Sequence, residues 1–305
     1  MEQLNFTVVE SNVSISDFSG DQPDVFSVVM VSICFLLGVP GNIAVVLLRP
    51  NFQHLSSLSQ SLMLNLAFSD LFCLLTLPLW IYSFLNSWTL GLEACKLVSY
   101  LVYCSIYGSQ LTVTMLAVQR YLLVVRLKKF LHLGRKRLLA LLWLVAALLS
   151  IPALDFHQLT TDQNWPQCWR FYSSDAQSVA ALLTESVVGF ILLSVVAFAY
   201  IQVRKKVNQA SFFNNPQTNR LVTSIIVTSL VLWVPYHIVN VSVVAISLKR
   251  RSEMFADKTW GIVAAVTFVN SCLNPLLYAF ASYKMCQTTT TNNAAAVTTD
   301  EELQE

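Results

Sequence analysis

Charge is what this chain lacks. Only 12% of its 305 residues are Asp, Glu, Lys or Arg, where a soluble domain averages about 25%. With 55% hydrophobic residues, that scarcity excludes an ordinary water-soluble globule and indicates an integral membrane protein. The first residues also lack the basic start and short apolar run of a cleavable signal peptide, so the first span is expected to act as the targeting signal. No internal repeat, Gly/Ser linker or break in composition marks a second domain. The four histidines, His54, His132, His157 and His237, are scattered and form no H-E-x-x-H motif. No paired carboxylate or nucleophile with a base accompanies them, so an intramembrane hydrolase, or any enzyme, is not expected. The lack of half-chain repeats and of a second acid deep in a span leaves a secondary transporter as a remote alternative.

Seven apolar runs are present, at about Val25 to Leu48, Leu58 to Leu85, Cys95 to Val125, Leu138 to Leu154, Ser178 to Val203, Leu221 to Ser247 and Thr259 to Phe280. Each is long enough to span a bilayer, and an odd number puts the termini on opposite faces. Net charge is only +2, but it is segregated: Glu2, Glu10, Asp17, Asp21 and Asp24 precede the first span with no Lys or Arg among them. The first, third and fifth connections carry Arg49, then Arg126, Lys128, Lys129, Arg135, Lys136 and Arg137, then Arg204, Lys205, Lys206 and Arg220, without an acid. Those connections are therefore cytoplasmic and the amino terminus is outside. The expected organisation is an all-α membrane protein of the plasma membrane. Residues 1–24 form an extracellular tail, 25–280 a seven-helix bundle and 281–305 a cytoplasmic tail, where a short eighth helix has room only at Ser282 to Cys286.

Of the seven cysteines, Cys34, Cys73, Cys104 and Cys272 fall inside spans and Cys286 lies past the last one. Cys95 and Cys168 remain, both on the oxidising face, as the natural disulfide pair. Sequons at Asn5 and Asn12 are expected to be glycosylated, since the amino terminus is outside. The third span runs from Cys95 to Arg126, roughly 48 Å at the helical rise, and reaches both sides. Asp70 sits mid-span, where an ionisable group costs several kcal/mol without a polar partner. Ser109, Asn270 and Asn274 are its expected neighbours, an oxygen-rich set suited to a sodium ion acting as an allosteric modulator, with no other cofactor expected. Pro235 and Pro275 each remove a backbone hydrogen bond and offer a pivot.

Asn42, the run Asn65-Leu66-Ala67-Phe68-Ser69-Asp70, Arg120-Tyr121, Trp143, Trp233 with Pro235, and Asn274-Pro275 with Tyr278 together resemble the rhodopsin-like G protein-coupled receptors, over roughly Gly41 to Phe280. Within that family, Arg220-Leu221-Val222, Trp233 to Asn240, and Glu185 followed by Gly189-Phe190 are most similar to the leukotriene B4 receptors. The resemblance implies an outer-half pocket for a hydroxylated fatty acid such as leukotriene B4, involving Ser99, Tyr103, Tyr107, His157, Glu185, Tyr236, His237 and Asn240. It assigns Glu185 to a ligand hydroxyl and leaves the carboxylate to His157, to Arg170 or to the Lys249-Arg250-Arg251 run. A peptide chemoattractant is the alternative ligand, with the acidic tail as its dock. A heterotrimeric G protein, membrane lipids and, as a further candidate, arrestin are the implied partners, with no nucleic acid. Within the pocket Ser99 and His157 stand where the leukotriene B4 receptors carry a histidine and an arginine, and three further departures accompany the resemblance. Gln119 stands where an acid usually precedes the arginine, no proline occurs between Glu185 and Arg204, and Leu232 replaces the usual cysteine beside Trp233.

Overall fold

The computed structural model describes residues 25–48, 56–126, 134–162, 165–209, 216–248 and 268–277. Its helices are α1 (Val25–Leu48), α2 (Ser57–Leu75), α3 (Leu77–Leu85), α4 (Gly91–Val124), α5 (Arg135–Ser150), α6 (Pro152–Phe156), α7 (Asp175–Gln209) and α8 (Pro216–Leu248). A further helix, α9, covers residues 268–277. Among the described residues, six helical segments are long and apolar enough to cross a membrane, and α9 supplies part of the seventh span. The acidic tail with Asn5 and Asn12, the Lys249-Arg250-Arg251 run, Tyr278 and the proposed eighth helix lie outside the described residues.

The second and fourth spans are each interrupted, and proline is the reason both times. Pro78 has no N–H to give the Leu74 carbonyl, and Thr76 takes over by donating its N–H to Cys73 and Leu74. Its hydroxyl adds a 2.7 Å bond to the Cys73 carbonyl. Pro152 likewise ends α5 and opens α6. Pro40 and Pro235, by contrast, lie within unbroken helices. The fifth span, which has no such residue, is a continuous helix of 35 residues. It runs past the expected end at Val203 because Arg204, Lys205 and Lys206 are exposed at its tip, where solvated charge does not oppose the helix. Arg204 reaches back one turn to donate to the Tyr200 hydroxyl at 3.0 Å.

α4 is the axis of the bundle, in contact with α2, α5, α6, α7 and α8. Leu62, Met63, Leu66, Leu116, Val222 and Ile225 are buried at its centre. Outward-facing Leu36, Leu37, Leu47, Ile191 and Val231 are exposed, while Asn42, Asp70, Asn240 and Asn274 are buried. This polar-inside pattern is what hydrocarbon selects, since an apolar side chain has nothing to escape in lipid and a polar one must find protein. Between the fourth and fifth spans the chain forms an antiparallel hairpin that sequence patterning did not anticipate, β1 (His157–Asp162) with β2 (Trp165–Arg170). The register pairs Leu159 with Cys168 and His157 with Arg170. Cys168 is disulfide-bonded to Cys95 near the start of α4, so the expected pairing is present and draws the hairpin over the outer end of the bundle.

Candidate functional site

The outer half of the bundle gathers its charge around one carboxylate. Glu185 of α7 accepts from the Tyr236 hydroxyl of α8 and, at 3.4 Å, from Arg170 Nη1 at the end of β2. The same guanidinium lies 5.2 Å from the Tyr103 ring centroid, a cation–π contact. Tyr103 in turn meets the His157 ring edge-on at 5.8 Å, and His157 donates Nδ1–H to the Ala153 carbonyl at 3.0 Å. Register explains why two loop residues reach the site: His157 and Arg170 are cross-strand partners, and the disulfide holds their hairpin two residues away at Cys168. Burial works against the Arg170 charge, but Glu185, then Tyr172 and Tyr236, more than offset it and hold the guanidinium protonated above its ordinary range. For His157 burial wins, lowering its pKa despite the Ala153 bond and nearby Glu185.

The remaining expected pocket residues differ in how they join this cluster. Tyr107 is buried one turn below Tyr103, and Asn240 is buried one turn beyond Tyr236, to which it hydrogen-bonds. His237 stacks on Trp233 at 6.2 Å and also meets Tyr236 and Phe190. Both its ring nitrogens are buried without a hydrogen-bond partner among the described residues. Gly189 makes room for it, since an added Cβ there would run into the imidazole. Ser99 is buried with its hydroxyl 3.9 Å from Cys168 Sγ of the disulfide. Tyr172 and Gly189 were not singled out by sequence reasoning as pocket residues. A lone tyrosine after a strand carries too little pattern to stand out, and Gly189 was noted only as part of the resemblance, not for the space it leaves.

Midway through the bundle both Asp70 oxygens are engaged. Ser109 donates to Oδ1 at 3.3 Å and Asn274 to Oδ2 at 2.7 Å, and Ser271 adds a further bond. Asn270, expected to join them, accepts from Ser229 of α8 at 3.3 Å. A carboxylate, a hydroxyl and the partnerless Asn274 Oδ1 form an oxygen set that fits a small hard cation. Nearby, Asn65 links three helices, donating to Thr112 at 2.7 Å and accepting from Trp143 at 2.9 Å.

At the inner end, Gln119 does not turn toward Arg120. Its amide donates to Ser56 at 2.8 Å and accepts from Ser59 at 3.1 Å, tying α4 to the capped start of α2. Arg120 Nε and Nη2 are shielded without a hydrogen-bond partner among the described residues. The guanidinium borders a cleft between α4, α7 and α8, lined by Ala117, Ala199, Tyr200, Val203 and Val222 among others. Tyr121 packs beside it against Phe198 of α7, with ring centroids 5.6 Å apart.

A disulfide-tethered outer cluster of polar groups, a buried polar mid-section and a shielded arginine without a carboxylate against it among the described residues at a basic inner face suit a multi-pass receptor that passes a signal across the plasma membrane. Residues 41–278 match the family described as 7 transmembrane receptor (rhodopsin family), and the chain belongs to that family of G protein-coupled receptors. Its relatives include human leukotriene B4 receptor 1, 30% identical over 84% of this chain and 76% of that protein. Human C-C chemokine receptor type 8 is 26% identical over 92% of this chain and 86% of its own length. G-protein coupled receptor E1 of Equine herpesvirus 2 is 30% identical over 82% and 69%. An extracellular ligand and an intracellular heterotrimeric G protein are the partners of this class, and the protein is a receptor, not an enzyme.

Proposed function

We propose that the extracellular ligand is a lipid mediator with one carboxylate and several hydroxyls, leukotriene B4 or a related hydroxylated fatty acid. The observation that carries this reading is the Arg170–Glu185–Tyr236 knot, one cation and a few polar groups set among aromatic and apolar walls. Such a site matches a long apolar molecule bearing few polar groups. In this reading Arg170 takes the ligand carboxylate in a bidentate pair, while Glu185 and Tyr236 take a hydroxyl, with Tyr103 and Tyr107 along the chain. Arg170 is preferred over His157 for the carboxylate because burial keeps His157 toward its neutral form. The 30% identity to a leukotriene B4 receptor supports the same ligand class.

A peptide chemoattractant is the second reading, favoured by the chemokine receptors among the relatives and by the five acids before the first span. Deleting residues 2–24 separates the two. Lipid agonism of G protein nucleotide exchange survives that deletion, and peptide agonism collapses. Silence of every hydroxylated eicosanoid at micromolar dose, in cells with confirmed surface receptor, would end the lipid reading. We propose also that Asp70, Ser109 and Asn274 hold a sodium ion that favours the resting bundle.

A further inference from the structure

Away from both ends, Cys34 of α1 and Cys272 of α9 face each other with their sulfurs 3.7 Å apart. They are 1% and 6% exposed, walled by Val31, Leu74 and Leu77. Apart from each other, among the described residues a polar contact is made only by Cys272, to the Val269 carbonyl at 3.2 Å. The close approach is written into α1. One turn beyond Cys34 stands Gly38, where a Cβ would lie 3.0 Å from Cys272 Cβ and 2.6 Å from Leu74 Cδ1. One turn further, Asn42 donates to the Ser271 carbonyl at 3.0 Å. Cys34, Gly38 and Asn42 thus form one stripe of α1 laid against α9.

A buried thiol packs as a small hydrophobe and needs no second thiol beside it. Two in contact are only about 1.7 Å short of a disulfide bond, a gap that side-chain rotation and a small helix shift close. The geometry points to Cys34 and Cys272 as a modification site within the membrane, converted to a disulfide by an apolar organic hydroperoxide dissolved in the bilayer. One sulfur attacks the terminal peroxide oxygen and breaks the O–O bond, leaving an alcohol and a sulfenic acid. The second sulfur attacks the sulfenic sulfur and expels its hydroxyl as water. Two thiols and one hydroperoxide therefore give one disulfide, one alcohol and one water. The sulfurs lose two electrons and the peroxide gains them. The oxidant class follows from position, because neighbouring Ile33, Leu36 and Leu37 are lipid-exposed and charged reagents do not enter hydrocarbon. The product staples α1 to the helix carrying Asn274, and so restrains the group that bonds Asp70.

The test uses full-length receptor in native membranes, carrying a protease site inserted after Gln209. After treatment with tert-butyl hydroperoxide and then cleavage, denaturing gels without reductant show whether the two fragments stay joined. Cys95 and Cys168 both lie on the first fragment and cannot join them. In wild type the treated fragments stay together, separate on reduction, and yield a linked Cys34–Cys272 peptide lighter by two hydrogens. A charged aqueous thiol reagent leaves no joined band. The band is lost in Cys34→Ala and in Cys272→Ala and is retained in Cys73→Ser, with surface expression checked for each. Separate fragments in treated wild type, or a joined band that persists in Cys34→Ala, would overturn the assignment.

Discussion

Two shielded guanidiniums, one at each end of the bundle, meet opposite fates. Arg170 at the outer end has a carboxylate at 3.4 Å and an aromatic face at 5.2 Å. Arg120 at the inner end has two nitrogens without a partner among the described residues and an apolar cleft beside it. A buried cation left unpaired costs several kcal/mol, so the inner end is the less satisfied of the two. The difference teaches where each end is incomplete. The outer cluster can hold itself together before a ligand arrives, whereas the inner end awaits an acceptor that a bound G protein can bring.

The largest expected effect comes from cutting the outer cluster loose. Cys95→Ser and Cys168→Ser each release the hairpin that carries Arg170, and loss of such a bond removes about 2–5 kcal/mol in small secreted domains. Both variants should lose surface expression and ligand binding to the same degree by flow cytometry. Unequal losses would mean that one cysteine has a second role. Next in size is Glu185→Gln, which strands the Arg170 charge and should lower thermal stability by about 3 kcal/mol. Arg120→Leu removes a shielded cation with no carboxylate against it among the described residues and should leave stability unchanged or raised. Melting curves of purified protein that show equal losses for the two would erase the contrast.

Gln119→Asp sharpens the inner half of the comparison. A carboxylate there can still accept from Ser59 and adds a counter-charge for Arg120, so basal nucleotide exchange should fall about fivefold, the shift expected for ~1 kcal/mol. Gln119→Ala should instead raise basal exchange, because it cuts the tie to Ser56 and Ser59. Basal output equal to wild type in Gln119→Asp would show that Arg120 is already restrained. Between the ends, raising sodium should weaken agonist binding in wild type and do so less in Asp70→Asn. An unchanged response in radioligand competition would reject the ion site.

The smallest effect separates His157 from its cross-strand neighbour Arg170, which stays charged throughout the accessible pH range. Burial lowers the folded pKa of His157 below its ordinary 6.5, so below that pH the unfolded chain takes up the proton first. The stability associated with His157 is fully present above about 6.5 and declines as the pH falls toward the folded value. His157→Gln should flatten that part of the stability profile, measured as melting temperature against pH.

Much of the fold was legible because its signals are local. The apolar runs, the basic inner loops and the two cysteines on the outer face each state a preference of the chain for hydrocarbon, cytoplasm or an oxidising space. Such preferences add up along the sequence without knowledge of what packs where. The same reasoning left three candidates for the carboxylate partner, placed Asn270 beside Asp70 instead of Ser229, and assigned no element to the outer loop where a hairpin lies. Those points depend on which surfaces meet. Arg170 and Glu185 are 15 residues apart, Glu185 and Tyr236 are 51 apart, Asp70 and Asn274 are 204 apart, and Cys34 and Cys272 are 238 apart. Membrane insertion determines that such polar groups must turn inward, but helix packing alone decides which one each will find, because in a low-dielectric interior an ångström of displacement separates a partner from a bystander.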